Sequence, residues 1–339
     1  MVRREQQRAA NHDNAGYVPL PSKHMKILVT GAAGFIGFHL CQSLLARGDE
    51  IVGFDNMNAY YDPTLKEARL KILQEHPKFS FTKGDILDRP AVATVMKGCD
   101  RVVHLAALAG VRYAYDHPEE YVDTNIKGFF NVIDEVRLQG VDGLVYASTS
   151  SVYGGNEKFP SSEDDMVDDQ VSLYGMNKKA NENMAHVYHA LYGTKVTGLR
   201  FFTVYGPYGR PDMALFLFTK ALLAGEKLPV FNEGKMQRDF TYVDDIVSGI
   251  VAAIDKNYDE EIFNLGCGKT EELMDYIRMV EESVGKKADM EFLPMQKGDA
   301  LKSAADISKA RKMLGYDPKT TIDVGVPTFV QWYKDYYGA

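Results

Sequence analysis

The hydrophobic positions of this chain fall into short continuous runs separated by stretches of helical period. Met25-Lys26-Ile27-Leu28-Val29-Thr30 is a nearly unbroken apolar run, and Gly31-Ala32-Ala33-Gly34-Phe35-Ile36-Gly37 follows it at once. Ile36, Leu40, Leu44 and Leu45 then recur at helical spacing until Gly48. The pattern predicts a buried strand, a glycine turn and a helix. A second strand is expected over 50–54, ending on Asp55. A third covers 79–82, before Gly84-Asp85-Ile86. A fourth covers 101–105 and gives way to Ala106-Ala107-Leu108-Ala109-Gly110. A long helix carrying Asn125 is predicted over 119–138. The fifth run, Leu144-Val145-Tyr146-Ala147, breaks into hydroxyls at Ser148-Thr149-Ser150-Ser151, as when a buried parallel strand opens onto a crevice. A helix over 174–192 and a sixth strand over 195–202 complete the series. This alternation predicts an α/β fold built on a Rossmann-type doubly wound parallel sheet.

Beyond residue 202 the rhythm changes. Residues 203–212 are rich in turn formers and read as a loop. Gln237-Arg238-Asp239-Phe240-Thr241-Tyr242-Val243-Asp244-Asp245 enters a helix, Phe263-Asn264-Leu265-Gly266 ends a strand, and Gly298-Asp299 falls in a loop. Val326, Phe329, Val330, Tyr333 and Tyr337 form a helical stripe expected in the core. The expected division is a dinucleotide-binding domain over 25–202 and a smaller C-terminal α/β substrate-binding domain over 203–339, with segments partly interleaved with the sheet. Residues 1–24 are polar and lack both helical period and the apolar core of a signal peptide. They read as a disordered extension or an expression leader.

Composition narrows the function classes. With 45% hydrophobic and 25% charged residues in 339, the chain has the make-up of a globular protein with ample core. Its net charge of −8 argues against a nucleic-acid partner, and local arginines and lysines must receive any anionic substrate. The three cysteines, Cys41, Cys99 and Cys267, are too scattered for a disulfide framework or a metal pattern, which fits a reducing cytoplasm. No apolar run reaches the ~20 residues of a membrane span.

Two constellations carry candidate chemistry. The glycines at 31, 34 and 37, between a strand and a helix, form the context of a dinucleotide fingerprint, with helix N–H groups facing a pyrophosphate. Asp55 at the second strand end can accept the adenosine ribose hydroxyls and would repel a 2′-phosphate, favouring NAD; a cap or turn role is the plainer alternative. Asp85 suits an adenine contact or a turn equally well. The small residues at 106–110 suit a flat cofactor or simple packing. Asn125 suits a water site or the satisfaction of backbone groups. In the second constellation, Tyr174 and Lys178 lie one helical turn apart. A Tyr near ~10 is a poor base at neutral pH, and reaching about 7 needs roughly 4 kcal/mol of differential stabilisation. A nearby ammonium favours the phenolate. Thr149 is placed to bridge the phenol and a reacting hydroxyl.

Taken together, Gly31-x-x-Gly34-x-x-Gly37, Asp55, Asp85, Thr149 and Tyr174-x-x-x-Lys178 resemble the extended short-chain dehydrogenase/reductase superfamily over nearly the whole chain from Met25. Four further motifs are similar to the nucleotide-sugar epimerases, and among them to the UDP-glucuronate 4-epimerases. These are Asp55-Asn56-x-Asn58-x-Tyr60-Tyr61-Asp62, Ala109-Gly110-Val111-Arg112-Tyr113, Gly209-Arg210-Pro211-Asp212-Met213-Ala214 and Arg238-Asp239-Phe240-Thr241-Tyr242. The resemblance implies Tyr174 as general base, Lys178 on the nicotinamide ribose and Thr149 on the reacting oxygen. It implies NAD held by Gly31, Gly34, Phe35, Ile36, Gly37, Asp55, Asn56, Asn58, Asp85, Ile86, Leu105, Ala106, Ala107, Asn125, Tyr174 and Lys178. It implies a UDP-sugar met by Arg112, Ser150, Ser151, Thr203, Arg210, Arg238 and Asp299, and a homodimer formed through two helices per subunit, here 119–138 and 174–192.

One position selects the subgroup. Many relatives carry Asn before Val-Tyr-Gly-Pro; this chain has Thr203, which resembles the carboxylate-binding Thr of the glucuronate epimerases. Related decarboxylases and dehydratases place carboxylates where Ser150 and Ser151 stand. Two departures from the family pattern are Ala300 after Gly298-Asp299 and Ser303 in place of a Thr. The function implied is reversible 4-epimerisation of UDP-glucuronate to UDP-galacturonate through a transient 4-keto sugar with tightly bound NAD. The alternatives are a 4-epimerase of neutral UDP-sugars such as UDP-glucose or UDP-N-acetylglucosamine, and a UDP-glucuronate decarboxylase.

Overall fold

The structure, a computed structural model, describes residues 24–295 and 301–339. The expected N-terminal extension, apart from His24, and Asp299 lie outside the described residues. The first half alternates as β1 (Lys26–Thr30), α1 (Phe35–Arg47), β2 (Glu50–Asp55), α2 (Thr64–Gln74), β3 (Phe79–Lys83), α3 (Arg89–Met96) and β4 (Arg101–His104). Two short helices, α4 (Tyr113–Asp116) and α5 (Pro118–Val122), lead into α6 (Gly128–Gln139). β5 (Leu144–Thr149), α7 (Leu173–Tyr192) and β6 (Val196–Phe201) follow.

After β6 the chain leaves and re-enters the sheet. β7 (Thr203–Tyr205), α8 (Ala214–Ala224), β8 (Leu228–Phe231), β9 (Gln237–Arg238) and β10 (Phe240–Tyr242) come first. Next are α9 (Val243–Lys256), β11 (Glu260–Leu265), β12 (Glu271–Glu272), α10 (Leu273–Val284), β13 (Met290–Leu293), α11 (Ser308–Leu314) and α12 (Ile322–Tyr337). The central sheet has seven strands in the order β11-β6-β5-β4-β1-β2-β3, every neighbouring pair parallel. It is the Rossmann-type sheet expected from the alternation.

The continuous apolar runs follow from burial on both faces. Ile27, Val29, Ile51 and Val103 pack with α1, α9 and α11, whereas Leu28, Val52 and Val102 pack with α3, α6 and α7. A separate cluster joins α8, α10 and α12 around Phe216, Tyr276 and Phe329.

The structure departs from the expected elements at three places. The predicted helix over 119–138 is α5 and α6 joined by a π-turn at Asp123–Lys127, where Asn125 turns inward. Residues 203–205, expected as loop, form β7, which pairs with β10 because the chain steps out of the large sheet at Phe202. Tyr337, expected in the core, is 46% exposed on the last turn of α12, while Val326, Phe329, Val330 and Tyr333 are buried.

α7 is fixed at both ends and from beneath. The Ser172 hydroxyl accepts from Gly175 N (3.1 Å), and Gly193 closes the helix in the left-handed conformation. Lower on the face that carries Tyr174 and Lys178, Glu182 takes a bidentate contact from Arg200 on β6, with both bonds 2.9 Å, and accepts from Ser148 on β5 (2.6 Å). Arg200 also donates to Tyr153, which donates to Asn264 on β11 (2.7 Å). All five residues are buried. Removing one member of a buried ion pair strands the other. Arg200→Met is therefore expected to cost about 3–5 kcal/mol, with most of it restored in Arg200→Met/Glu182→Leu. Urea unfolding measures this; a single-variant loss under about 1 kcal/mol would contradict the ion pair's role.

Candidate active site

The strand order reverses between β1 and β4, and the C-terminal ends of the strands open there onto a cavity of about 850 Å³. Gly31, Gly34, Phe35, Ile36 and Gly37 line it where β1 passes into α1. Gly31 has φ +74°, and a Cβ there would lie 2.8 Å from Ala106 N. A Cβ on Gly37 would meet Gly31 O at 2.1 Å, so the turn closes only without side chains. α1 begins at Gly34 with no side-chain cap and no acidic residue in its first turn. Its free N–H groups suit a pyrophosphate.

Asp55, Asn56 and Asn58 line the same end with Phe54, Gly84 and Ile86. Asp55 Oδ2 accepts from Ala33 N (3.2 Å) and Oδ1 from Met57 N (2.8 Å). Asp85 and Asn125 stand behind the lining. Asp85 accepts from Asn56 Nδ2 (2.9 Å) and Leu87 N (2.9 Å). Asn125 bonds both Leu108 N (3.0 Å) and Leu108 O (2.9 Å). Leu105, Ala106 and Ala107 form the floor between the two halves. These donors, glycines and small residues fit a dinucleotide.

Ser148, Thr149, Ser150 and Ser151, from β5 and the turn after it, converge with Tyr174 and Lys178 of α7 and with Thr203 of β7. Lys178 is buried, donates to Ala147 O (3.0 Å), and burial lowers its pKa to about 8. Burial raises the Tyr174 pKa, offset by the Arg210 guanidinium and by a hydrogen bond with Thr149. Sequence reasoning assigned the offsetting charge to Lys178; in the folded chain it comes from Arg210, supplied by the loop after β7. Arg210 is itself clamped by Asp212 (3.0 and 2.6 Å), and Tyr60 donates to Asp212 (3.0 Å). Burial works against the Asp212 carboxylate, but Arg210 and Tyr60 hold it below the usual range.

Arg112 and Arg238 line the far end. The Arg112 guanidinium lies 5.3 Å from the Phe231 ring centre, and Arg238 donates to Gln237 O and Leu301 O. Sequence reasoning assigned no role to Tyr60, Tyr61, Lys66 or Asp212, nor to the wall formed by Leu217, Lys220, Lys227, Leu228 and Phe231. Tyr60, Tyr61 and Asp212 lay within motifs already singled out. Lys66 lies in a stretch for which the sequence analysis made no reading, and the structure places it on α2.

A model of the NAD dependent epimerase/dehydratase family matches residues 27–266. An uncharacterized protein of Methanocaldococcus jannaschii is 50% identical over 92% of this chain and 97% of its own length. UDP-glucuronate 4-epimerase 4 of Arabidopsis thaliana is 44% identical over 92% of this chain and 76% of its own. Among solved structures, UDP-glucuronic acid 4-epimerase from Bacillus cereus in complex with UDP-glucuronic acid and NAD superposes with a TM-score of 0.89. It is 38% identical, over 92% of this chain and 100% of that one.

The glycine turn offers a direct test. Gly37→Ala is expected to abolish retention of a dinucleotide by the purified protein while leaving the sheet intact by circular dichroism, because the 2.1 Å contact is with rigid backbone. Nucleotide released by acid at the wild-type ratio would show that the turn does not hold the cofactor.

Proposed function

The chain belongs to the NAD dependent epimerase/dehydratase family, and from that premise we propose that it interconverts UDP-glucuronate and UDP-galacturonate by inverting carbon 4 of the sugar. The observation that carries the reading is one cavity lined together by Tyr174, Thr149 and the hydroxyls of Ser150, Ser151 and Thr203, with the Arg210 guanidinium and the Thr149 hydroxyl acting on the Tyr174 phenol. The similarity to a UDP-glucuronate 4-epimerase at 44% identity and to a solved UDP-glucuronic acid 4-epimerase at 38% identity supports it.

Residues 25–202 carry the cofactor half in this reading and residues 203–339 the UDP-sugar half, with β11 returning to the sheet. NAD would be held by the glycine turn, Asp55, Asn56 and Asn58, with Lys178 at the nicotinamide ribose. When bound it supplies the hydride acceptor and donor. Tyr174 takes the proton from the 4-hydroxyl and returns it after the sugar has turned over. Thr149 orients the reacting oxygen, and Arg210 stabilises the phenolate. Oxidation at carbon 4 makes a β-keto acid, prone to lose carbon dioxide. Ser150, Ser151 and Thr203 hold the carboxylate near the ring plane and place no further acid beside it. Arg112, Arg210 and Arg238 offset the charge of the nucleotide-sugar.

Proton NMR of the protein incubated with UDP-glucuronate, without added cofactor, is expected to show UDP-galacturonate. Tyr174→Phe should lower turnover by about 10²–10⁴-fold and spare UDP binding. Unchanged turnover in that variant would remove Tyr174 from the mechanism. A strong preference for UDP-glucose would refute the carboxylate shelf, and a decarboxylated product would refute the role of Ser150 and Ser151.

The enzyme would work as a homodimer joined through α6 and α7. Phe130 and Leu138 on α6 and Val187 and Leu191 on α7 are exposed at spacings that align them along each helix. Among the described residues no helix is long and apolar enough to cross a membrane, and Cys41 and Cys99 are buried and unpaired, as suits a reducing cytoplasm. Light scattering is expected to give a dimer for the wild type and a monomer for Leu138→Glu/Leu191→Glu; a monomeric wild type would rule the interface out.

A further inference from the structure

The loop that carries Arg210 turns through a residue its backbone would not choose. Tyr208 has φ +55°, in the left-handed region where a bulky side chain is an outlier and Gly or Asn the ordinary occupant. Glycines stand at 206 and 209, yet a left-handed step falls on a tyrosine. Such a conformation persists only where the surroundings over-determine it, and here they do. The Tyr208 ring centre lies 5.0 Å from that of Phe38 on α1 and 4.9 Å from that of Trp332 on α12, with Tyr336 at 5.9 Å. The backbone is held as well. His39 on α1 donates through Nε2 to Pro207 O (2.9 Å), and Arg69 on α2 donates to Tyr208 O (2.6 Å). Arg69 is itself fully buried and also donates to Ala33 O (2.9 Å) and the Tyr61 hydroxyl (2.7 Å). Gly209 follows, where a Cβ would lie 2.9 Å from Gly206 O, and the next residue, Arg210, lines the cavity. Phe38, Tyr208 and Trp332 stand behind that lining.

We infer that Tyr208 is a positioning residue for Arg210: its ring, locked between α1 and α12, holds the loop in the left-handed turn that presents the guanidinium to the cavity beside Tyr174. The assignment rests on the reading of Tyr174 as the base. Asp212 grips the Arg210 guanidinium (3.0 and 2.6 Å), but it belongs to the same loop, two residues on. A grip within one loop fixes the shape of the side chain and not where the loop stands in the fold. Tyr60 steadies Asp212 from the cavity side (3.0 Å), and the contacts of Pro207 and Tyr208 anchor the loop from behind. Ring packing of this kind is directional and fills space that a smaller side chain would leave empty. Trp332 and Tyr336 come from α12, so the last helix of the chain takes part in placing a charge at the cavity.

The test is steady-state turnover by the full-length holoenzyme of the UDP-sugar that the wild type accepts, with circular dichroism to confirm folding. Tyr208→Ala is expected to lower kcat by about 10–100-fold, the scale of a small misplacement near a reacting centre. Tyr208→Phe keeps the ring and is expected to restore turnover. In an Arg210→Met background the same Tyr208→Ala change is expected to lower kcat by less than about twofold, because the two side chains act as one unit. The acid limb of the Tyr208→Ala pH profile is expected to move to higher pH. Tyr174 faces Lys178 on its own helix, the Thr149 hydroxyl from β5, the Tyr121 phenol from α5 and Arg210 from the loop. A phenol that loses the facing guanidinium keeps its proton to higher pH, whereas a purely structural role lowers stability and leaves that limb in place. Wild-type kcat in a folded Tyr208→Ala overturns the proposal, as does an equal loss with and without Arg210, or an unmoved acid limb. Should Tyr208→Ala not fold, Trp332→Leu loosens the ring from α12 with the loop sequence intact and carries the same decision by the same readouts. A wild type that turns over no UDP-sugar overturns the reading of Tyr174 as the base and this proposal with it, whereas an active wild type indifferent to Tyr208 overturns only the latter.

Discussion

The buried ion pair between Glu182 and Arg200 is the contact on which the geometry of the cavity wall around Tyr174 and Thr149 depends. Glu182 stands on the same face of α7 as Lys178 and Tyr174, and its carboxylate is held from β6 by Arg200 and from β5 by Ser148. Ser148 is the residue before Thr149. Arg200 lies three residues before Thr203, and Tyr153, bonded to Arg200, follows Ser150 and Ser151. One network thus ties the Tyr/Lys helix to the segments that carry the hydroxyls of the cavity wall. In a low-dielectric interior such a network is stiff when every member is partnered and costly when one is not. It trades some desolvation energy for a fixed register between a helix and three parallel strands.

The second constraint is topological. In a parallel sheet wound outward from β1 in both directions, helices leave the crevice at the strand ends uncovered only where the order reverses. The cavity lies there, so residues as distant in sequence as Gly31, Thr149 and Arg210 become neighbours. Burial at the site also changes its charges. It raises the Tyr174 phenol and lowers Lys178, so α7 alone does not favour the phenolate. The charge that opposes burial at Tyr174 comes from Arg210, on a loop contributed after the sheet's sixth strand. The two halves of the chain therefore have to be assembled before the phenol is tuned.

Much of this was legible in the residues. The glycine turn is a local necessity, since Gly31 needs a positive φ and Gly37 has no room for a Cβ. The two-sided burial of the strands is written in their unbroken apolar runs, and α7 in its Ser172 cap and closing Gly193. Elements failed where the signal was non-local. Thr203-Val204-Tyr205 looks like the start of a loop because Gly206-Pro207 follows, yet it is a strand because β10 returns to pair with it. The stretch 119–138 holds a single glycine, Gly128, which follows the π-turn directly, and the π-turn accompanies the inward turn of Asn125 onto Leu108.

The sequence by itself determined the strand–turn–helix order, the glycine cradle and the pairing of a phenol and an ammonium one turn apart, because each depends on backbone geometry or on side chains close along the chain. It also placed the hydroxyls at the end of β5. Only the tertiary structure decided which charge faces Tyr174, which carboxylate clamps Arg210, and that Lys66 turns inward to Asp55. Those are contacts between residues far apart in the chain, and burial and Coulomb energy depend on distance in space. Nothing near Lys66 in the chain shows that the fold brings a buried carboxylate against it.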